Sequence, residues 1–148
     1  MRAIETPRFG LVRYDEQEVI EFPAALPGFE GEHQFLLIEA EASRPLCFLQ
    51  SVLTPSLCFV CAPIPLLLPQ YEGFLNRQDR DALGMPPEGA TPGTRLDWFA
   101  ILCFAEADSP TANLLGPIVI RRDVGLGVQS IREDALYSAR HPLFRENS

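Results

Sequence analysis

The chain has 148 residues, 47% of them hydrophobic and 22% charged, the size and composition of one globular domain. Its net charge of -8, with all 12 cations arginine and no lysine, opposes direct nucleic-acid binding and excludes Schiff-base or phosphate-loop lysine chemistry. No apolar run approaches the ~20 residues that span a membrane, and Glu5 and Pro7 interrupt what a secretory signal would need, so a cytoplasmic protein is expected.

From Arg8, RFGLVRYDEQEVIEF reads as two strands around an acidic turn at Asp15–Glu18, with Ile20 and Phe22 facing one side. FPAALPGFE follows. Pro23 and Pro27 set its direction, Gly28 permits a tight turn, and Phe22 and Phe29 are expected to anchor its ends in the core. HQFLLIEAE from His33 is a strand. PLCFLQSV and LCFVCA form a hairpin about Thr54-Pro55-Ser56, where Pro55 suits a turn and would interrupt a strand. APIPLLLPQYEGF carries too many prolines for a regular helix and reads as an extended apolar loop. NRQDRDALG has the signals of a short helix: Asn76 as N-cap, Asp79 and Asp81 near the positive end, Gly84 to stop it. MPPEGATPGT, residues 85–94, reads as a mobile surface loop. LDWFAILCFA from Leu96 is expected at the centre of the sheet, nearly buried on both faces. TANLLGPIVIRRD and GVQSI add two strands around Val124–Gly127, and LYSARHPLF forms a tail. The sum is a mostly β, single-domain fold over residues 1–148, a small barrel or sandwich with one short helix.

The chemical motifs are sparse. Cys58 and Cys61 have C-x-x-C spacing, but in a strand residues three apart point to opposite faces, and Cys47 and Cys103 stand in other apolar strands, so buried structural thiols are expected rather than a metal site. His33 and His141 lie in no catalytic pattern, and GLG at residues 125–127 lacks the setting of a dinucleotide site. The pairs Glu16/Glu18 and Asp79/Asp81 fall at turn or helix starts and are assigned solvated roles. No enzyme activity, cofactor or metal is expected. A thiol or metal site at Cys58 and Cys61, or a barrel that holds a small apolar ligand, are the alternatives. Tyr71 and Glu72, an aromatic and a charge after the proline-rich loop, suit contact with a cationic protein partner.

In order, TPRFG, IEFPAALPGFEGEHQFLLI, LQSVLTPSLCFV, APIPLLLPQYE, TANLLGPIVI and HPLF resemble the flagellar assembly factor FliW family over nearly the whole chain. The resemblance implies a small, non-catalytic, β-barrel-like cytoplasmic protein. It also implies two partners, flagellin and the RNA-binding regulator CsrA, whose repression of flagellin translation such a protein relieves. Asn113, Leu114 and Leu115 match the family's NLL segment; they are contact candidates, or else Leu114 and Leu115 are core and Asn113 closes a turn. Thr54 joins the candidates on the turn after LQSV, where the family often has an acid. Gly116 stands where alanine is common before PIVI.

Overall fold

The computed structural model describes residues 1–89, 94–104, 109–133 and 136–143. Its strands are β1 (Arg2–Thr6), β2 (Gly10–Tyr14), β3 (Ile20–Glu21), β4 (Gln34–Ile38), β5 (Cys47–Ser51), β6 (Cys58–Pro63), β7 (Leu96–Cys103), β8 (Thr111–Ala112), β9 (Ile118–Arg121), β10 (Leu126–Gln129) and β11 (His141–Pro142). Two short helices, α1 (Ile64–Leu67) and α2 (Arg77–Ala82), lie between β6 and β7. Seven strands close into a barrel in the order β7-β6-β5-β4-β3-β10-β9, with β9 returning to β7. Neighbours are antiparallel except β3 and β10, which run parallel. β8 and β11 extend the sheet from the far end of β7.

Alternation along the strands builds two environments. Ile20, Phe22, Phe35, Cys47, Leu49, Cys61, Phe99, Ile118 and Ile120 fill the barrel. The opposite faces of β6 and β7 present Ala62, Ala100 and Leu102, which the segment after β6 and the C-terminal stretch cover with Ile64, Leu68, Tyr71 and Tyr137. A third cluster under α2 joins Leu83 and Met85 to Val119 and Val128. The expectation that β7 is nearly buried on both faces holds for its middle, while Cys103 at its end is exposed.

The first strands pair differently from the expected arrangement. β2 folds back on β1, stapled where Thr6 Oγ1 donates to Gly10 O at 3.0 Å and accepts from Phe9 N at 2.9 Å. Asp15–Glu18 is no hairpin turn. It forms a 3-10 turn in which Glu18 Oε1 accepts from Asp15 N at 2.9 Å, swinging the chain from the β1–β2 hairpin into the barrel. Helix content also differs. The run IPLL makes one α-turn, because Pro65 sits in the first turn, where its missing N–H has no intrahelical partner to lose. α2 starts as expected, with Asp79 N donating to Asn76 Oδ1 at 2.8 Å. Of the expected mobile loop, Met85 is instead buried at 8% exposure, and residues 90–93 lie outside the described residues.

FPAALPGFE braces one side of the barrel. Phe22 is fully buried, its N–H donates to His33 O at 2.7 Å, and His33 Nδ1 lies 2.8 Å from Phe22 O. Gly28 takes φ 84, the left-handed turn geometry expected of it. Phe29 is the weaker anchor: 39% exposed, it stands edge-on to Phe59 with ring centroids 5.2 Å apart.

Candidate binding surface

Five of the six expected contact residues gather where the segment after α1 crosses the outer face of β7. The Tyr71 hydroxyl donates to Leu114 O at 2.9 Å, and its ring meets Trp98 at 6.5 Å and Tyr137 at 4.5 Å between centroids. The Arg132 guanidinium lies over both tyrosines, 5.2 Å from the Tyr71 centroid and 4.8 Å from that of Tyr137. Arg132 also donates to Glu72 O, while Glu72 N donates to Tyr137 Oη at 3.0 Å. The Glu72 backbone is therefore held from both sides and its exposed carboxylate makes no ion pair among the described residues.

Asn113, Leu114 and Leu115 abut this cluster in unequal ways. Asn113 Oδ1 accepts from Leu115 N at 3.0 Å and Gly116 N at 3.1 Å, the side-chain-to-backbone turn that asparagine favours. Leu114 is fully buried, so it supports the surface from the core and offers no side chain to a partner. Leu115 is half-buried, and its carbonyl accepts from Arg132 N at 2.7 Å. Thr54 stands apart on the β5–β6 turn. Its N–H donates to Ser51 Oγ at 2.9 Å, and its hydroxyl lies 3.4 Å from the buried carboxylate of Glu32, which also accepts from Ser51 Oγ at 3.0 and 3.1 Å.

Beside the tyrosine cluster runs a groove of about 480 Å³ floored by Trp98 and walled by Leu46, Pro63 and Pro65. A smaller recess of about 260 Å³ shares Trp98 and Pro65 and continues to Tyr71 and Gly73. Gly73 lies so close to the indole that a Cβ there would fall 2.6 Å from Trp98 Cη2. Charge gathers at the outer wall. Arg122 holds Glu39 at 2.9 Å and Asp97 at 2.6 Å, and Arg95 reaches Asp97 at 3.8 Å.

The family described as FliW protein matches residues 3–143. The chain belongs to the FliW family. It is 36% identical over 144 residues to a flagellar assembly factor FliW of a Geobacillus strain, covering 97% of this chain and 96% of that one. It is 32% identical over 137 residues to the one from Syntrophomonas wolfei, covering 92% and 85%. The crystal structure of a flagellar assembly factor FliW superposes with a TM-score of 0.86 at 33% identity, over 99% of this chain and 100% of that one. Flagellar assembly factor names a role that is not enzymatic.

Within this FliW-family barrel, Cys58 and Cys61 face opposite sides, and register puts Cys47 directly across from Cys61 inside the barrel, a neighbour that reading the strands separately missed. Burial pushes the Cys47 thiol up to about 12 and that of Cys61 well above its ordinary 9.0. Burial also raises Cys58, with the Arg8 charge opposing. Among the described residues no group of three or more His, Cys, Asp or Glu could hold a metal ion, and no helix is long and apolar enough to cross a membrane. Asp79 departs from its expected solvated role. It is buried at 7% exposure, where Ser130 Oγ donates to it at 2.7 Å. Trp98, Arg132 and Tyr137 were not singled out from sequence. The alternation Leu96, Trp98, Ala100, Leu102 carries the signal for Trp98, whereas Arg132 and Tyr137 come from the tail and meet Tyr71 only through tertiary folding.

Proposed function

We propose that the chain is a partner-switching protein that binds flagellin and the translational regulator CsrA, restraining CsrA when flagellin is scarce in the cell and releasing it when flagellin accumulates. The match of residues 3–143 to the FliW family carries this reading. Its acidity fits a protein that reaches RNA only through another protein, since a net charge of -8 repels phosphate. The contact surface proposed is the rim formed by Tyr71, Glu72 and the 113–115 turn, where Glu72 offers an exposed carboxylate to a cationic partner. Thr54, on a separate turn, would mark a second contact.

Calorimetric titration with CsrA and, separately, with flagellin from the same organism tests the reading. Saturable heat from both is expected. Heat from flagellin alone would leave a flagellin-binding role and remove translational control, and silence from both would overturn the proposal. Glu72→Arg is expected to weaken CsrA association, more so at low ionic strength, where surface charges are least screened. An unchanged affinity would place the interface elsewhere.

A further inference from the structure

We propose that the groove over Trp98 docks an acidic, apolar peptide segment of a partner protein, with its aliphatic side chains on Trp98, Pro63 and Pro65 and its carboxylate between Arg44 and Arg95. The inference rests on the reading of the chain as a protein-binding module and adds what the partner must present.

Size comes first. A volume of about 480 Å³ falls within the range of sites that take compact ligands or a few side chains. The floor is held in place: β7 pairs with β9 over Leu96–Phe99 and with β6 over Phe99–Ile101, and Gly73 and Tyr71 back the Trp98 ring. β9 occupies one edge of Leu96–Phe99, so a partner cannot add as a further strand on that edge. The proline walls have no N–H to offer, which leaves them apolar and makes the arginines the strong donors.

Charge then selects the occupant. The groove's charged groups are three arginines and two carboxylates, Arg44, Arg95 and Arg122 against Glu39 and Asp97. Arg122 satisfies both acids at 2.9 and 2.6 Å. Arg95 is left at 3.8 Å from Asp97, and Arg44 makes no ion pair among the described residues. Both are exposed at the groove mouth, so the groove carries a surplus positive charge on a chain whose net charge is -8. A guanidinium fork matches a carboxylate in shape as well as charge, and the acidic remainder of the surface repels the same segment elsewhere. A nucleic acid would meet this single surplus charge amid 20 acidic residues, which disfavours a polyanion.

Trp98 is the chain's single tryptophan, so its emission reports directly on the groove. The experiment titrates the full-length protein with a short synthetic peptide of leucine and glutamate, with its counterpart carrying lysine for each glutamate, and with a short oligonucleotide. A saturable shift of Trp98 emission is expected from the glutamate peptide, at concentrations at least about ten-fold below any response to the lysine peptide. The double variant Arg44→Glu, Arg95→Glu is expected to reverse that preference. Near-ultraviolet circular dichroism checks that the variant keeps the fold, as exposed positions allow. No response to the glutamate peptide, equal response to both peptides, a preference that survives charge reversal, or a response to the oligonucleotide alone would overturn the proposal. Silent peptides with CsrA or flagellin still bound would remove this inference and leave the proposed function standing; peptide binding with neither protein bound would do the reverse.

Discussion

Replacing Asn113 with alanine removes one acceptor that serves two backbone donors, Leu115 N–H at 3.0 Å and Gly116 N–H at 3.1 Å. Gly116 is buried and Leu115 half-buried, so water replaces the lost acceptor poorly at the first and partly at the second. An unsatisfied buried donor costs about 1–3 kcal/mol and an ordinary lost bond about 1 kcal/mol, so the pair sums to about 2–4 kcal/mol. The turn has further dependants: Leu115 O accepts from Arg132 N at 2.7 Å, and Gly116 O accepts from Gln129 Nε2 at 3.0 Å. For a domain of this size that loss lowers Tm by about 4–16 °C. Asn113→Asp keeps an acceptor in place and is expected to recover most of the loss. Urea unfolding of the wild type and both variants is the assay. Alanine within about 0.5 kcal/mol of wild type, a range typical of neutral surface changes, would refute the reasoning, as would an aspartate variant equally destabilised.

Gly73→Ala places a methyl 2.6 Å from Trp98 Cη2, so the 69–74 segment must lift; a loss of about 1–2 kcal/mol and a changed Trp98 emission are expected, and wild-type values for both would contradict the packing. Thiol labelling of the native protein near neutral pH is expected to be fastest at exposed Cys103, with buried Cys47 and Cys61 reacting only on unfolding; rapid native labelling of Cys47 would be inconsistent with its burial. Because burial raises Cys47 from 9.0 to about 12, the folded state binds its proton more tightly than the unfolded state. Its contribution is complete below pH 9 and is lost as pH rises towards 12, about 1 kcal/mol by pH 10, so Cys47→Ala is expected to show a correspondingly shallower alkaline decline in denaturation midpoints. Equal declines would argue that the thiol ionises alike in both states.

Local chemistry made part of this fold legible and long-range pairing hid the rest. The β5–β6 hairpin could be read because Pro55 marks its turn, and α2 because Asn76 and Asp79 write a capping box within four residues. The Cys47–Cys61 pairing is one residue off that reading: the hairpin centres on Thr54, whereas a turn centred on Pro55 would set Cys47 against Pro63. Closure was not legible. The parallel contact of β3 with β10 and the return of β9 to β7 join segments far apart in sequence, and the short strand β3 carries little periodicity to announce either neighbour. Asp15–Glu18 misled because an acidic cluster suits a hairpin turn and a capped 3-10 turn equally well. At the surface, Tyr71 and Glu72 stood out as an aromatic and an acid after prolines. What holds them, Arg132 and Tyr137 from a tail without pattern, required the fold.

The most direct test of the account is the mass, by light scattering after size-exclusion chromatography, of this protein mixed with CsrA before and after flagellin is added. A complex with CsrA that gives way to a complex with flagellin and free CsrA is expected. A ternary complex retaining both, or a chain that elutes alone throughout, would contradict it.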